Sequence, residues 1–416
     1  MKKINDRHDS YEDYVNFQKQ KTEDPVKREK WLGEEWDSKI EGFVEIFTNH
    51  KDIISDCTKA LCIGARTGQE VIALNSMGIE AVGIDIVEHP PSVIKGDMHE
   101  MPFADDEFDL IFSNVYDHSL YPEKLALEIE RVLKTNGIAI LQFQVGIPQD
   151  EYTEFYISNP YYDVLPLFNQ SLVLQNCFIG KNRFGMNYEI VLRKDKTLVE
   201  FYNQVGSVKT LDLPPGYEKI WDDINHEIQI NKAKTYGLPD EKAEEYLSVL
   251  KNRGYYLSSL AKISGVKNII EAGTAQGWQF YSFAKYANSV DGHVYSFDLR
   301  DVRDTKYKQE FKNNTTFING TSFEMNKQLK QDKVGDIGLF YIDASHDKGA
   351  VIQDVLNLKD FQSDNPIWIF DDFDTRFGCF YDIERICQIK QNYKVYSVGK
   401  TASGNPTHQV IVFGKM

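Results

Sequence analysis

The sequence has no C-x-x-C pair, and its five cysteines (Cys57, Cys62, Cys177, Cys379 and Cys387) are odd in number. That argues against a disulfide framework and a cysteine-built zinc site, and the thiols read as small buried hydrophobes. No stretch approaches the ~20 apolar residues of a membrane span, and the opening MKKINDRHDS follows its lysines with no apolar run. The cytoplasm is the expected location. Positive charge is in deficit as well, with 47 Lys and Arg against 63 Asp and Glu and a formal net charge of −16. A field of that sign repels phosphate backbones and anionic lipid, so neither nucleic acid nor a membrane is the expected partner. Also missing is G-x-G-x-x-G, which counts against a nicotinamide-dependent oxidoreductase.

What is present is enough apolar material for two cores. A chain of 416 residues, 42% hydrophobic and 26% charged, outgrows one domain and suits two of about 150 to 200 residues. Apolar residues at helical spacing (Trp31, Trp36, Ile40, Phe43, Ile46, Phe47) predict amphipathic helix over about 10–50, packed above the first domain's ligand mouth. Strands follow at Ala60–Ile63, Ala81–Ile84, Val93–Ile94, Phe108–Ser113 and Ile138–Phe143, with helices at about 69–77 and 122–133 between them. Two further strands are expected near Leu172–Phe178 and Tyr188–Leu192. The same alternation restarts with a helix at about 240–263 and strands at Asn268–Ala272, His293–Phe297, Thr316–Ile318, Ile337–Ile342, Ile367–Phe370, Lys394–Val398 and Val410–Phe413. Repeated β-α-β order means a parallel, doubly wound sheet in each half. The expected division is 1–195, a connecting stretch 196–239 containing Pro214-Pro215-Gly216, and 240–416.

In each half a strand enters a G-x-x-x-G turn that opens a helix: Gly64-Ala65-Arg66-Thr67-Gly68, and Gly273-Thr274-Ala275-Gln276-Gly277. Such a turn lets the backbone approach a ligand closely and points free N–H groups at it. An acid ends the next strand in both, Asp85 and Asp298, where a carboxylate can accept the hydroxyls of an adenosine ribose. A dinucleotide pyrophosphate would need a second close-approach glycine. A phosphate-free adenosine cofactor does not.

On these residues the sequence resembles the class I S-adenosylmethionine-dependent methyltransferases. The first half matches through Leu61-Cys62-Ile63-Gly64-Ala65-Arg66-Thr67-Gly68, Gly96-Asp97-Met98-His99-Glu100-Met101-Pro102-Phe103, Phe108 to Asn114, and Glu130-Arg131-Val132-Leu133-Lys134. The second matches through Glu271-Ala272-Gly273-Thr274-Ala275-Gln276-Gly277 and Gly320-Thr321-Ser322. The resemblance implies an α/β fold of two Rossmann-like domains, each a mostly parallel seven-stranded sheet with helices on both faces, binding S-adenosylmethionine at two sites. It implies that Asp97 and Met98 frame the adenine in the first half and that Thr321 and Ser322 lie near it in the second. Gly64, Ala65, Gly68 and Asn114 are the remaining cofactor candidates of the first half, and Glu271, Gly273 and Gly277 those of the second. Arg66 departs from the family's small-residue turn.

The second half adds acids. The strand Ile337–Ile342 ends in Asp343-Ala344-Ser345-His346, and Ile367–Phe370 ends in Asp371-Asp372. Neighbouring parallel strands deliver their carboxyl ends to one rim, where three carboxylates repel unless a cation sits between them. Oxygen ligands suit Mg²⁺ or a similar divalent ion, which would stabilise a substrate alkoxide. His346 is a candidate general base. This arrangement resembles metal-dependent O-methyltransferases of the catechol kind, and its D-x-x-H followed by Asp-Asp is nearer the bacterial enzymes that methylate macrolide sugars.

The first half has no such triad. Its Asp117-His118 offers an orienting acid and a base for metal-free transfer, or else a turn cap and a packed imidazole. The aromatic insert 152–168 lines an acceptor pocket or fills a small core, and Trp278 is read as core. The expected activity is O-methylation of a carbohydrate or glycosylated metabolite by both halves, with a small-molecule or glycan acceptor. The alternatives are one catalytic half beside a binding or scaffold module, or a phenolic acceptor. Duplicated domains also allow a homo-oligomer.

Overall fold

The computed structural model describes residues 2–3, 7–146, 150–205, 213–217, 219–221, 223–224, 240–400 and 406–416. The chain divides into two compact units, 1–199 and 200–416. Of the expected connection 196–239, the first ten residues form a helix, Lys196–Val205, and residues 206–212 and 225–239 lie outside the described set.

Among the described residues the main sheet of the first unit has seven strands: β1 Lys59–Ile63, β2 Glu80–Asp85, β3 Val93–Lys95, β4 Phe108–Ser113, β5 Leu133–Phe143, β6 Ser171–Phe178 and β7 Tyr188–Lys194. Their order is β3-β2-β1-β4-β5-β7-β6. Neighbours from β3 through β5 are parallel, and β7 runs antiparallel to both β5 and β6. The second unit repeats this with β8 Asn268–Ala272, β9 Val294–Asp298, β10 Thr315–Asn319, β11 Ile337–Ile342, β12 Gln362–Phe370, β13 Tyr393–Lys400 and β14 Pro406–Phe413. Here the order is β10-β9-β8-β11-β12-β14-β13, again with one antiparallel strand, β14. Both units are therefore Rossmann-like α/β sheets, and in both the first strand lies in the sheet interior.

Central parallel strands are covered on both faces, which is why β1 (KALCI) and β11 (IGLFYI) are apolar without alternation and buried almost throughout. Leu110, Phe112 and Ile140 join Phe43 and Phe47 in one core, and Ile269, Leu339 and Ile369 join Phe280 and Phe283 in the other. Strand ends reach past the apolar runs that mark them in the sequence. In β12 a polar lead-in, Gln362 to Asn365, precedes Ile367–Phe370.

The amphipathic stretch 10–50 is broken into α1 Tyr11–Glu23, α2 Pro25–Leu32 and α3 Trp36–Asn49. Pro25 can only start a helix, and Asp24 caps that start by accepting from Lys27 N at 2.9 Å. Gly33 ends α2. Tyr14, Gln18 and Thr22, four apart along α1, form its buried face. In each unit the turn after the first strand leads into a helix, α4 Gln69–Ser76 and, in the second unit, α5 Trp278–Ser289. Their caps are Gly68 and Gly277, at φ of +80° and +91°, a region closed to most L side chains. All five cysteines are free thiols, three of them buried. Among the described residues no helix is long and apolar enough to cross a membrane.

Candidate active sites

In the first unit Gly64, at φ +75°, runs so close to Val115 that a Cβ would lie 2.4 Å from a Val115 methyl. Asp85 at the end of β2 pins this turn: Oδ2 accepts from Arg66 N (3.0 Å) and Oδ1 from Val87 N (3.1 Å). Burial raises its pKa. The cleft beside Asp85 is about 50 Å³ and is bordered by Met98, Ile86 and Gly96, with Tyr14 and Gln18 of α1 closing it. Asp97, the expected adenine neighbour, accepts hydrogen bonds from the Tyr11 hydroxyl (2.5 Å) and from His99 N (2.8 Å). Burial opposes its ionisation, yet the bonds from His99 and Tyr11 hold its pKa down to about 2.

A larger cavity of about 300 Å³ is bordered by Gly64, Ala65 and Asn114 on one side and by Asp117 and His118 on another. The Asp117 side chain is 2% exposed and its Oδ1 has no hydrogen-bond partner, so burial pushes its pKa up to about 7. His118 Nδ1 lies 2.9 Å from the Tyr152 carbonyl oxygen. A proton on Nδ1 makes that bond, which leaves Nε2 as a lone-pair acceptor. Burial and the Lys21 charge lower its pKa to about 3, so the imidazole is neutral. Sequence reasoning missed Lys21, Glu70 and Arg183, which border the same cavity. They come from helices and a loop whose only mark in the sequence is a polar residue beside an apolar one. The aromatic insert is mainly core: Tyr152, Tyr161 and Phe168 are buried, and Tyr156 is exposed.

In the second unit Gly273, at φ +86°, passes the Asp343 backbone so closely that a Cβ would lie 1.9 Å from the Asp343 carbonyl oxygen. Asp298 holds the turn as Asp85 does, its Oδ2 accepting from Thr274 N (3.0 Å) and Ala275 N (2.9 Å). Glu271 is buried, accepts from Ser296 Oγ (3.0 Å), and is pushed up in pKa by burial. Thr321 and Ser322 lie at a helix start, α6 Ser322–Gln331. The Thr321 hydroxyl takes part in a capping box with Glu324, and Ser322 Oγ accepts from Asn357 Nδ2 at 2.9 Å. Both hydroxyls are thus engaged by the protein itself. Trp278 is partly buried against the unit's core.

Asp343, His346 and Asp372 each offer one donor atom, all within 4.8 Å of one another. His346 Nε2 is 2.6 Å from Asp372 Oδ2, and this bond raises the pKa of the imidazole. Asp371 is not among the three. It accepts from Arg253 (2.6 Å), the Tyr341 hydroxyl (2.7 Å) and Gln409 Nε2 (3.1 Å). The neighbouring carboxylates part because Asp372 is in the left-handed region, φ +53°. Arg253 was not singled out from the sequence, where it is one of many charges on a helix. Burial and the charge of Asp371 push Asp343 well above the usual carboxylate range. With Asp371 balanced by Arg253, the carboxylates of Asp343 and Asp372 remain, oxygen donors that fit one divalent cation of the Mg²⁺ or Mn²⁺ kind, with the His346 imidazole beside them.

Residues 61–141 match a family model described as a methyltransferase domain, and residues 270–373 match a second model of the same description. Among solved structures the chain is similar to the 1,6-didemethyltoxoflavin-N1-methyltransferase of Burkholderia thailandensis, at 13% identity and a TM-score of 0.37, covering 47% of this chain and 94% of that one. It is similar to the O-methyltransferase of Bacillus cereus at 16% identity and a TM-score of 0.37, with 50% and 96% covered. The phosphoethanolamine N-methyltransferase 1 of Haemonchus contortus is matched over 97% of both chains, at 10% identity and a TM-score of 0.34. No curated protein matches the sequence. The matched segments span the glycine turn and the parallel strands of each unit, so each unit contains a stretch that matches a methyltransferase-domain model.

Proposed function

We propose that the chain is a bifunctional methyltransferase acting on hydroxyls of a carbohydrate or glycosylated metabolite, with the C-terminal transfer assisted by a divalent cation. The observation that carries this reading is the convergence of Asp343, His346 and Asp372 directly against the glycine turn at Gly273. S-adenosylmethionine supplies an electrophilic methyl group on its sulfonium. Asp343 and Asp372 would hold a divalent cation, which would supply the charge that makes a neighbouring hydroxyl more acidic. His346 takes the hydroxyl proton and shares the resulting charge with Asp372. Most of the rate comes from holding acceptor and donor in line. In the N-terminal half, transfer is metal-free, with His118 Nε2 as the base and Asp117 orienting the acceptor.

The test is a transfer assay with labelled cofactor across sugar-nucleotide, glycan and phenolic acceptors, with Mg²⁺ or Mn²⁺ and then with chelator. Transfer at the C-terminal site is expected to stop on chelation while N-terminal transfer continues. Metal-independent transfer at both sites would overturn the metal role. One observation favours a second reading, in which a single half is catalytic: the Tyr11 hydroxyl already occupies Asp97, whose chain neighbours Gly96 and Met98 border the narrow first cleft. Calorimetry separates the two, since two working sites take up two cofactor equivalents per chain.

A further inference from the structure

The two glycine turns differ at their third position, where Arg66 in the first stands for Ala275 in the second, both at positive φ (44° and 46°). The Arg66 side chain borders both the 50 Å³ cleft and the 300 Å³ cavity. Its guanidinium lies 5.3 Å from the Trp31 ring and has no hydrogen-bond or ion-pair partner among the described residues. Glu70, in the first turn of α4, borders the same cavity at 5% exposure and takes a hydrogen bond only from its own backbone N–H. Asp117 apart, the other charges around the cavity are matched: Lys21 with Asp150, Lys39 with Glu35, and Arg183 with Glu45 and the Ser38 carbonyl. One cation, Arg66 within the turn, and two buried acids, Glu70 just after it and Asp117, therefore stand without a matching partner around the cavity, where leaving them unmatched is costly.

We propose that Arg66 and Glu70 hold the two charged ends of the cofactor's methionine moiety in the N-terminal site, the guanidinium taking the carboxylate and Glu70 the ammonium. This rests on the reading that the N-terminal half binds S-adenosylmethionine. Arg66 lies within, and Glu70 just after, the backbone segment that approaches the ligand most closely, whereas Asp117 borders the same cavity beside His118 and is left to the acceptor. A planar guanidinium suits a carboxylate because two parallel N–H donors meet two oxygens. In the C-terminal turn Ala275 offers no such group, so the two halves grip the same cofactor differently.

The experiment is calorimetry on the full chain carrying Asp298→Ala to silence the C-terminal site, titrated with S-adenosylhomocysteine and with 5′-methylthioadenosine, which lacks the amino-acid end. Arg66→Ala is expected to weaken S-adenosylhomocysteine about 10- to 100-fold, as loss of a charged hydrogen-bonded pair does, and to leave methylthioadenosine within about twofold. Glu70→Gln is expected to act the same way with a smaller loss, and Arg66→Lys to recover part of the affinity. Equal losses for both ligands would mean that Arg66 only shapes the turn, and no loss for S-adenosylhomocysteine would mean that it serves an anionic acceptor; either overturns the assignment. If the parent with Arg66 intact binds neither ligand, the reading of the N-terminal half as a cofactor site fails with it.

Discussion

The two halves share a scaffold down to the acid that pins the glycine turn, Asp85 in one and Asp298 in the other. They diverge where β4 and β11 end. There the first half buries one uncommitted carboxylate, Asp117, beside a neutral imidazole. The second gathers three aspartates and offsets one of them with Arg253. The lesson is that charge, more than fold, sets the chemistry of each rim. A single acid can stay protonated in a dry site, whereas clustered acids need cations.

The comparison breaks most sharply at Arg253. Arg253→Ala leaves Asp371 buried without its charged partner, and such a loss costs about 3–5 kcal/mol. The second unit should melt earlier in a calorimetric scan while the first is unchanged. Arg253→Met combined with Asp371→Leu should restore most of that stability, since a packed apolar pair replaces the ion pair. If Arg253→Ala melts as the parent does, Arg253 is not what balances the cluster. Next in size is Asp343→Asn. It should lower C-terminal transfer by about 10²- to 10³-fold, the scale of losing one electrostatic stabiliser, and abolish Mn²⁺ binding seen by electron paramagnetic resonance. N-terminal transfer is the internal control.

Most of the architecture was legible beforehand, because apolar runs bounded by glycine turns fix a parallel sheet whatever lies on its rim. The turns at Gly64 and Gly273 stand out because no other residue fits beside Val115 or the Asp343 backbone. The break of the N-terminal helix at Pro25 was equally visible as a proline rule, but helical spacing of the apolar residues on either side masked it. What the sequence conceals is partnership. Nothing in D-D distinguishes the aspartate that meets Arg253 from the one that meets His346, since a single left-handed residue decides it. Likewise Thr321 and Ser322 fit a cofactor contact and a helix cap equally well on paper.

A pH series sharpens the contrast at Asp117. A carboxyl whose folded pKa is raised, here to about 7, favours the protonated folded state. Folding stability from this group is present below the unfolded pKa of about 4 and is lost as pH rises toward 7. His118, lowered to about 3, works in the opposite sense below its unfolded pKa of about 6.5, so the parent's own profile is flattened. The difference between Asp117→Asn and the parent isolates the acid. It should grow in favour of the variant between about pH 4 and 7, by an amount on the order of a few kcal/mol, and then level off. Denaturant melts of the first unit check this, with Lys21, Asp150 and Arg66 as the charges facing Asp117. A constant difference would mean that Asp117 is ionised throughout.

The smallest effect tests whether the second half holds adenine through Thr321. The hydroxyl accepts from Phe323 N at 3.3 Å and donates to Glu324 Oε2 at 2.6 Å, so its capacity is committed to starting α6. Thr321→Ala should therefore cost about 1 kcal/mol of stability, the usual value of a lost cap, and leave cofactor affinity at the C-terminal site within about twofold. Thr321→Ser, which keeps the cap, should be neutral in both. A loss of affinity in Thr321→Ala with stability unchanged would reverse the assignment. It would show that the hydroxyl turns from Glu324 to the ligand when the site fills, and that the two halves meet adenine more alike than their charges suggest.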